Sequence, residues 1–369
     1  MTVQSKEINL DQLGGTIYPE TTNGEQLRWH SPLEAPFHIA GFPWLAQDGI
    51  YRRLPLASEA VLPPAVDTLA YCTAGGQIRF RTNSSRLVIR VRLAGPANMY
   101  HMPPTGQCGV DCYLGEPGEQ SFITTAKFKP TESEYESQLY QWDSKKDVAV
   151  TLNLPLYQGV EEVWIGVDKD AVVSDAPAYA SSRPVIIYGT SITQGGCASR
   201  PGMAYSNILS RMIPVEFVNL GFSGNGKGEP ELAHIMSEID DPALFILDYE
   251  GNTGEAGNIA RTLPAFIEIL RERHPEVPIL VVSRIYTAED QFYMERRELH
   301  DRRRLIQIEN VEQRMAEGDR NIHFVDGFKL LGDDFVVNDC TVDGTHPTDL
   351  GFLRMAQSLA PIIKPLLQL

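Results

Sequence analysis

Acyl transfer requires a nucleophile, a base, a carboxylate that orients the base, and donors for a tetrahedral oxyanion. Residues of all these types stand in four short stretches of the 369-residue chain. Ser191 lies in "VIIYGTSITQGG", residues 185 to 196, where an apolar run stops at a loop of small residues. Gly224 lies in "NLGFSGNG" and Asn252 in "DYEGNTG". Asp343 and His346 stand three apart in "TVDGTHPT". A carboxylate and an imidazole so spaced on a turn can approach one another. The Asp then accepts the Nδ1 proton and leaves Nε2 free as a base. Taken singly, each stretch also has a plainer reading. Ser191 fits a helix cap after a strand, Asp343 with His346 fits an Asx-turn, and Gly224 and Asn252 fit ordinary turns. "GTSITQGG" lacks the Walker lysine and is followed by no G-x-G-x-x-G. Thr193 stands where a nucleophile elbow has its second glycine.

The stretches gain meaning from the elements that must position them. Short apolar runs fall at 185–188, 215–220, 243–249, 278–285 and 322–327. They carry no polar alternation, which predicts strands covered on both faces. Helix-length segments separate them, at about 203–212, 229–238, 256–273, 289–317 and 349–368. Ile259, Leu263, Phe266, Ile267 and Leu270 repeat at helical spacing. The alternation predicts a parallel sheet in a three-layer α/β/α domain. Sites in such sheets form just beyond the carboxyl ends of strands. Ser191, Gly224 and Asn252 each follow such a run, and the Asp343/His346 pair precedes the last helix. Pro347 and Thr348 read as the start of that helix.

The order Ser, Gly, Asn, Asp-x-x-His resembles that of the SGNH, or GDSL-type, hydrolase family, over residues 184 to 369. The resemblance implies that Ser191 is the nucleophile, His346 the general base and acid, and Asp343 the residue that orients His346. It implies an oxyanion hole of the Ser191 and Gly224 backbone N–H groups with the Asn252 side-chain amide. Thr190 replaces the aspartate usual before that serine, which leaves the support of the loop as the open point.

Residues 1 to about 170 carry the period of two expected of strands with one buried face. Leu87, Ile89, Val91 and Leu93 alternate with Arg86, Val88, Arg90 and Arg92; Val148, Val150, Leu152 and Leu154 repeat the pattern. The prediction is a β-sandwich or jelly-roll-like domain over 1–178, a small, polar linker at 168–184, and a catalytic domain over 179–369. Gly109-Val110-Asp111-Cys112-Tyr113 resembles the G-x-D-L-Y motif of the β-rich domain in one SGNH subgroup, with Cys112 in place of Leu. That subgroup includes esterases and an acyltransferase. Tyr100, His101 and Met102, on a proline-rich loop just before this motif, are candidates for shaping the substrate pocket. The alternative is an ordinary inter-strand loop. The aromatic-rich stretch from Trp29 to Trp44 reads as core or interdomain contact.

A hydrophobic content of 43% with 22% charged residues describes a globular chain with material for real cores. The formal net charge of −16 argues against unaided binding to nucleic acid or anionic membrane. No stretch reaches the roughly 18 apolar residues of a membrane helix, and "MTVQSKEINLDQLGG" lacks a signal-peptide core. A cytoplasmic protein is therefore expected. In "MERRELHDRRR", acids interrupt the arginines, which predicts a solvated helix face. The five cysteines fit no disulfide framework, and Cys108 and Cys112 lack the further ligands of a zinc site.

The leading expectation is a serine esterase acting on a small water-soluble ester, with acetylated sugars favoured by the family resemblance. It requires no metal and no organic cofactor. The alternatives are an acyltransferase to a sugar or natural-product hydroxyl, and a non-catalytic carbohydrate-binding protein. Assembly into a homo-oligomer is left open.

Overall fold

The computed structural model describes residues 27–58 and 60–369. The stretch 1–15, read as lacking a signal-peptide core, and the start of the expected front domain lie outside the described residues. The front half holds two antiparallel sheets. One has the strand order Leu27–His30, Val160–Asp168, Arg86–Leu93, Glu134–Gln141. The other runs Val173–Ser174, Gln77–Thr82, Val148–Asn153, Asp111–Leu114, Ser121–Thr125, and His38–Ala40 also pairs with Gln77–Thr82. Leu87, Ile89 and Val91 pack with Ile78, Phe80, Val150, Leu152 and Ile165 in one core. Each such side chain, fully buried, contributes about 1.5–3 kcal/mol before the entropy cost of ordering it.

The predicted alternation holds, with one difference of physical interest. The second face of the six-stranded sheet is buried as well. Gln77 donates to Asn153 Oδ1 at 2.9 Å and to Ser210 Oγ of the back half at 3.4 Å. This face is polar because it meets another part of the same chain through hydrogen bonds, not through oil.

All five apolar runs form strands of one parallel sheet, ordered Val215–Gly221, Ser181–Gly189, Leu244–Asp248, Ile279–Val282, Ile322–Val325. Val185, Ile187, Leu244, Ile246, Leu280 and Val282 face a core shared with the helices Tyr205–Met212 and Asp349–Leu366. Ile186, Tyr188, Phe245, Leu247, Ile279 and Val281 face the opposite core, with the helices Pro230–Ser237, Ala256–Arg273 and Met294–Ala316. Burial on both faces explains why these runs lack polar alternation. No described helix is long and apolar enough to cross a membrane.

Two expectations about elements need correction. The segment 168–184 is not a free linker: Val173–Ser174 pairs with Arg81 and Thr82, and the first parallel strand already begins at Ser181. Tyr179 within it lies under the Arg79 guanidinium at 3.6 Å. The helix expected over 289–317 is broken at Tyr293, whose φ of −125° and ψ of 98° are extended. The two halves also share their cores. Leu54, Val66 and Ala70 enter one core of the parallel sheet, and Ala74, Met102 and Leu156 enter the other.

Candidate active site

The order of the parallel strands reverses between Ser181–Gly189 and Leu244–Asp248, and ligands bind outside such a reversal. Ser191 follows the first of these strands, and Asn252 the second. Thr190 caps the one-turn helix Ser191–Gln194: its Oγ1 accepts from the Ile192 N–H at 3.2 Å, and the Thr190 N–H donates to Thr193 Oγ1 at 3.1 Å. A threonine oxygen therefore caps the loop where the family usually has an aspartate. Below it, Thr193 Oγ1 and the Tyr205 hydroxyl donate to Asp248 Oδ2 at 3.0 and 2.8 Å. Burial pushes the Asp248 carboxyl up to about 7, against the pull of those two hydrogen bonds.

Ser191 Oγ stands 2.9 Å from His346 Nε2, and His346 Nδ1 stands 2.8 Å from Asp343 Oδ2. The carboxylate has no proton to give, so Nδ1 carries the hydrogen and Nε2 accepts from the serine hydroxyl. Asp343 Oδ1 accepts the backbone N–H groups of His346 at 2.8 Å and Thr345 at 3.0 Å. Partial burial works against the charge on Asp343, but these bonds and the imidazole hold its carboxyl below the ordinary carboxylate range. Thr348 caps the helix Asp349–Leu366 that follows, which fixes the loop from behind. Gly196 passes so close to this pair that a Cβ there would meet the Tyr157 hydroxyl at 2.7 Å and the His346 ring at 3.4 Å.

Among the described residues, neither the Ser191 nor the Gly224 backbone N–H has a hydrogen-bond acceptor. Gly224 sits at φ +65°, a conformation that favours glycine, and a Cβ there would point into open space. The Gly224 loop is held by the Ser223 N–H, which donates to Gln194 Oε1 at 2.9 Å. The Asn252 amide differs from the two free donors. It donates to the Asn225 carbonyl and, at 3.5 Å, to the Phe222 carbonyl. In this arrangement Asn252 braces the Gly224 loop as much as it offers a donor.

The front half reaches this site directly. The ring of His101 meets the ring of His346 edge-on at 5.5 Å, and Tyr100 stacks on His101 at 4.4 Å. Tyr100 is 94% exposed, whereas Met102 is only 2% exposed and packs in the core beneath. Met102 is thus placed to support the loop and not to touch a ligand. Sequence reasoning missed Tyr157, whose hydroxyl donates to the Ser191 carbonyl at 3.1 Å. It also missed Gln194, which donates to the Leu156 carbonyl at 3.0 Å. Nothing in "LNLPLYQG" marks that tyrosine. Asp248 did carry a signal, since an aspartate ending an apolar strand stands where sites form.

The G-x-D-L-Y-like motif now has a physical role. Asp111, fully buried, accepts from the Gly202 N–H at 2.7 Å, from Arg200 Nη1 at 2.9 Å and from Asn153 Nδ2 at 2.7 Å. Tyr113 holds the same arginine through its hydroxyl. The motif fixes the turn Pro201–Met203, which follows the Ser191 loop. Buried Cys197 lies nearby; burial, and then the Asp343 charge, push its thiol up to about 12.

The family model described as GDSL-like Lipase/Acylhydrolase matches residues 182–364, and that described as the N-terminus of SGNH-hydrolase-type esterases matches 27–173. A Bacteroides ovatus protein described as a GDSL-like lipase is 31% identical, with 93% of this chain and 98% of that one covered and a TM-score of 0.84. The chain belongs to the GDSL-like lipase/acylhydrolase family. It is an esterase of SGNH type, and the reading as a non-catalytic carbohydrate-binding protein falls. A salicylyl-acyltransferase from a tetracycline biosynthetic pathway shares the fold at 22% identity, covering 92% of this chain and 97% of its own, with a TM-score of 0.75. A family two carbohydrate esterase from Cellvibrio japonicus does so at 12% identity, covering 93% and 98%, with a TM-score of 0.60. No curated protein compared with the chain matches it.

Proposed function

We propose that this SGNH esterase works through Ser191, His346 and Asp343. Ser191 Oγ attacks the ester carbonyl while His346 Nε2 takes its proton. The tetrahedral oxyanion is met by the Ser191 and Gly224 N–H groups and by Asn252. His346 then protonates the leaving alcohol, and water cleaves the acyl-enzyme by the same route. Asp343 holds the Nδ1–H tautomer and stabilises the imidazolium. The observation that carries this reading is the hydrogen-bonded chain at 2.9 and 2.8 Å. The two unpaired N–H groups support it, because free donors beside a nucleophile are what an oxyanion needs.

The substrate is a small water-soluble ester, and acetyl esters of sugars are the favoured class. Exposed Tyr100, stacked on half-buried His101, forms an aromatic ledge beside His346, which suits one face of a sugar ring. The front half, two antiparallel sheets about one core, is jelly-roll-like. A panel of p-nitrophenyl esters from acetate to decanoate, then of acetylated sugars, tests the substrate class and the mechanism. Turnover is expected to favour short acyl chains and to be abolished in Ser191→Ala. Preference for decanoate would overturn the substrate class, and full activity in Ser191→Ala would overturn the mechanism. Acyl products formed with added alcohols would identify a transferase using the same residues.

A further inference from the structure

One side-chain cluster at this site includes a thiol, Cys197, that ester hydrolysis does not use. His101, Cys197 and His346 each offer one ligand atom, and these atoms all lie within 4.8 Å of one another. Two come from opposite halves of the chain: His101 from a front-half loop, and His346 from the loop before the last helix. Cys197 is buried and free of any disulfide. His101 Nδ1 is buried and has no hydrogen-bond partner among the described residues.

Two imidazoles and a thiol are the donor set of zinc and of other thiophilic divalent cations. Ligands around a tetrahedral zinc stand about 3.5 Å apart, given bonds of about 2.0–2.3 Å. The cluster therefore needs to contract by about an ångström, which rotation of His101 on its loop can supply. A metal-ligating histidine ordinarily donates its other N–H to a carboxylate. Asp343 already accepts the Nδ1 hydrogen of His346 at 2.8 Å. Its charge also favours a cation next to that ring.

We propose that His101, Cys197 and His346 form a binding site for a thiophilic divalent cation, and that the bound cation reversibly switches the esterase off. The inhibitory half of this proposal rests on His346 being the base. On binding, the Cys197 S–H bond breaks and its proton goes to solvent. Sulfur–metal and nitrogen–metal bonds replace bonds from the metal to water, and no electron is transferred. His346 Nε2 then has no lone pair with which to take the Ser191 proton. Three protein ligands leave a fourth position on the metal for water.

Cobalt(II) and zinc(II) chloride are the probes. Titrating the whole protein with cobalt is expected to raise a near-ultraviolet sulfur-to-cobalt charge-transfer band that saturates at one equivalent. Ser191→Ala, inactive on the proposed mechanism, is expected to raise the same band, so metal binding is read independently of hydrolysis. Cys197→Ser is expected to keep ester hydrolysis and lose the band. Zinc is expected to inhibit the wild-type enzyme, and a chelator to restore it. In Cys197→Ser the half-inhibiting zinc concentration should rise about tenfold or more. Absence of the cobalt band in the wild-type protein would overturn the site. Equal zinc inhibition of wild type and Cys197→Ser would overturn the switch.

Discussion

Ser191 is held by contacts on every side of its loop, and each has a separate cause. Its carbonyl is tied to Tyr157, its helix is capped by Thr190, and its hydroxyl is aimed at His346. Its own N–H has no acceptor among the described residues. Asn252 is the residue whose role most needs measuring, because its amide already has carbonyl partners. If it also meets the oxyanion, Asn252→Ala lowers kcat by about 10² to 10³ with little change in KM, as single donors do elsewhere. Steady-state kinetics on p-nitrophenyl acetate reads this. A kcat within a few-fold of wild type would leave it as a brace for the Gly224 loop. Of the residues at the candidate site, the serine, glycine, asparagine and Asp-His pair were legible as candidates because the proposed chemistry fixes their types. Tyr157, Gln194 and Cys197 were not, because any side chain can be brought near a loop by tertiary packing.

The loops of the candidate site are carried by strand ends, and the strand ends rest on buried polar groups. Asp248 ends one strand and binds the loop after another through Thr193. Its folded-state pKa, about 7, is raised above the ordinary carboxylate range by burial. A raised group contributes its stability in full below the unfolded pKa. That contribution is lost as pH rises through the folded value, where the unfolded chain releases the proton more readily. Asp248→Asn removes the dependence. Its Tm relative to wild type should therefore rise between about pH 5 and about pH 8. Differential scanning calorimetry at a series of pH values checks this, and a constant difference would contradict it. The parallel strands were legible because both faces are apolar. The stretch 168–184 was not, because an edge strand of Val and Ser leaves no pattern. The helix Met294–Ala316 misleads in the same way. Its inward residues include Arg303 and Gln307, and Arg303 pairs with buried Glu250 at 3.3 Å. Gln307 donates to Glu250 at 2.8 Å, beside the Asn252 turn. An inward stripe that is polar cannot be found by hydrophobic periodicity.

At the scale of the whole molecule, the change from antiparallel to parallel structure falls near the division proposed at 178/179, but the packing does not divide there. Arg53 of the front half is fully buried. It donates to the Cys72 and Leu69 carbonyls at 2.6 and 2.8 Å, and to the Asn219 and Gly221 carbonyls at 3.0 and 2.7 Å. Burial lowers its guanidinium to about 10, so it stays a cation at neutral pH and caps the end of a parallel strand. Leu54, Val66 and Ala70 leave the back half's core open if they are removed. Residues 179–369 expressed alone are accordingly expected to lack a cooperative thermal transition and to expose apolar surface to dye. A sharp transition near that of the full chain would contradict this shared core. The interlocking also explains how a front-half loop comes to lie against His346.

The central claim is that Ser191 is a nucleophile activated by His346. Treatment with a fluorophosphonate, followed by intact-mass and peptide mass spectrometry, tests it most directly. One adduct per chain is expected, mapped to Ser191, absent in Ser191→Ala and strongly slowed in His346→Ala. Ester turnover that persists without an adduct at Ser191, or an adduct on another residue, would contradict it.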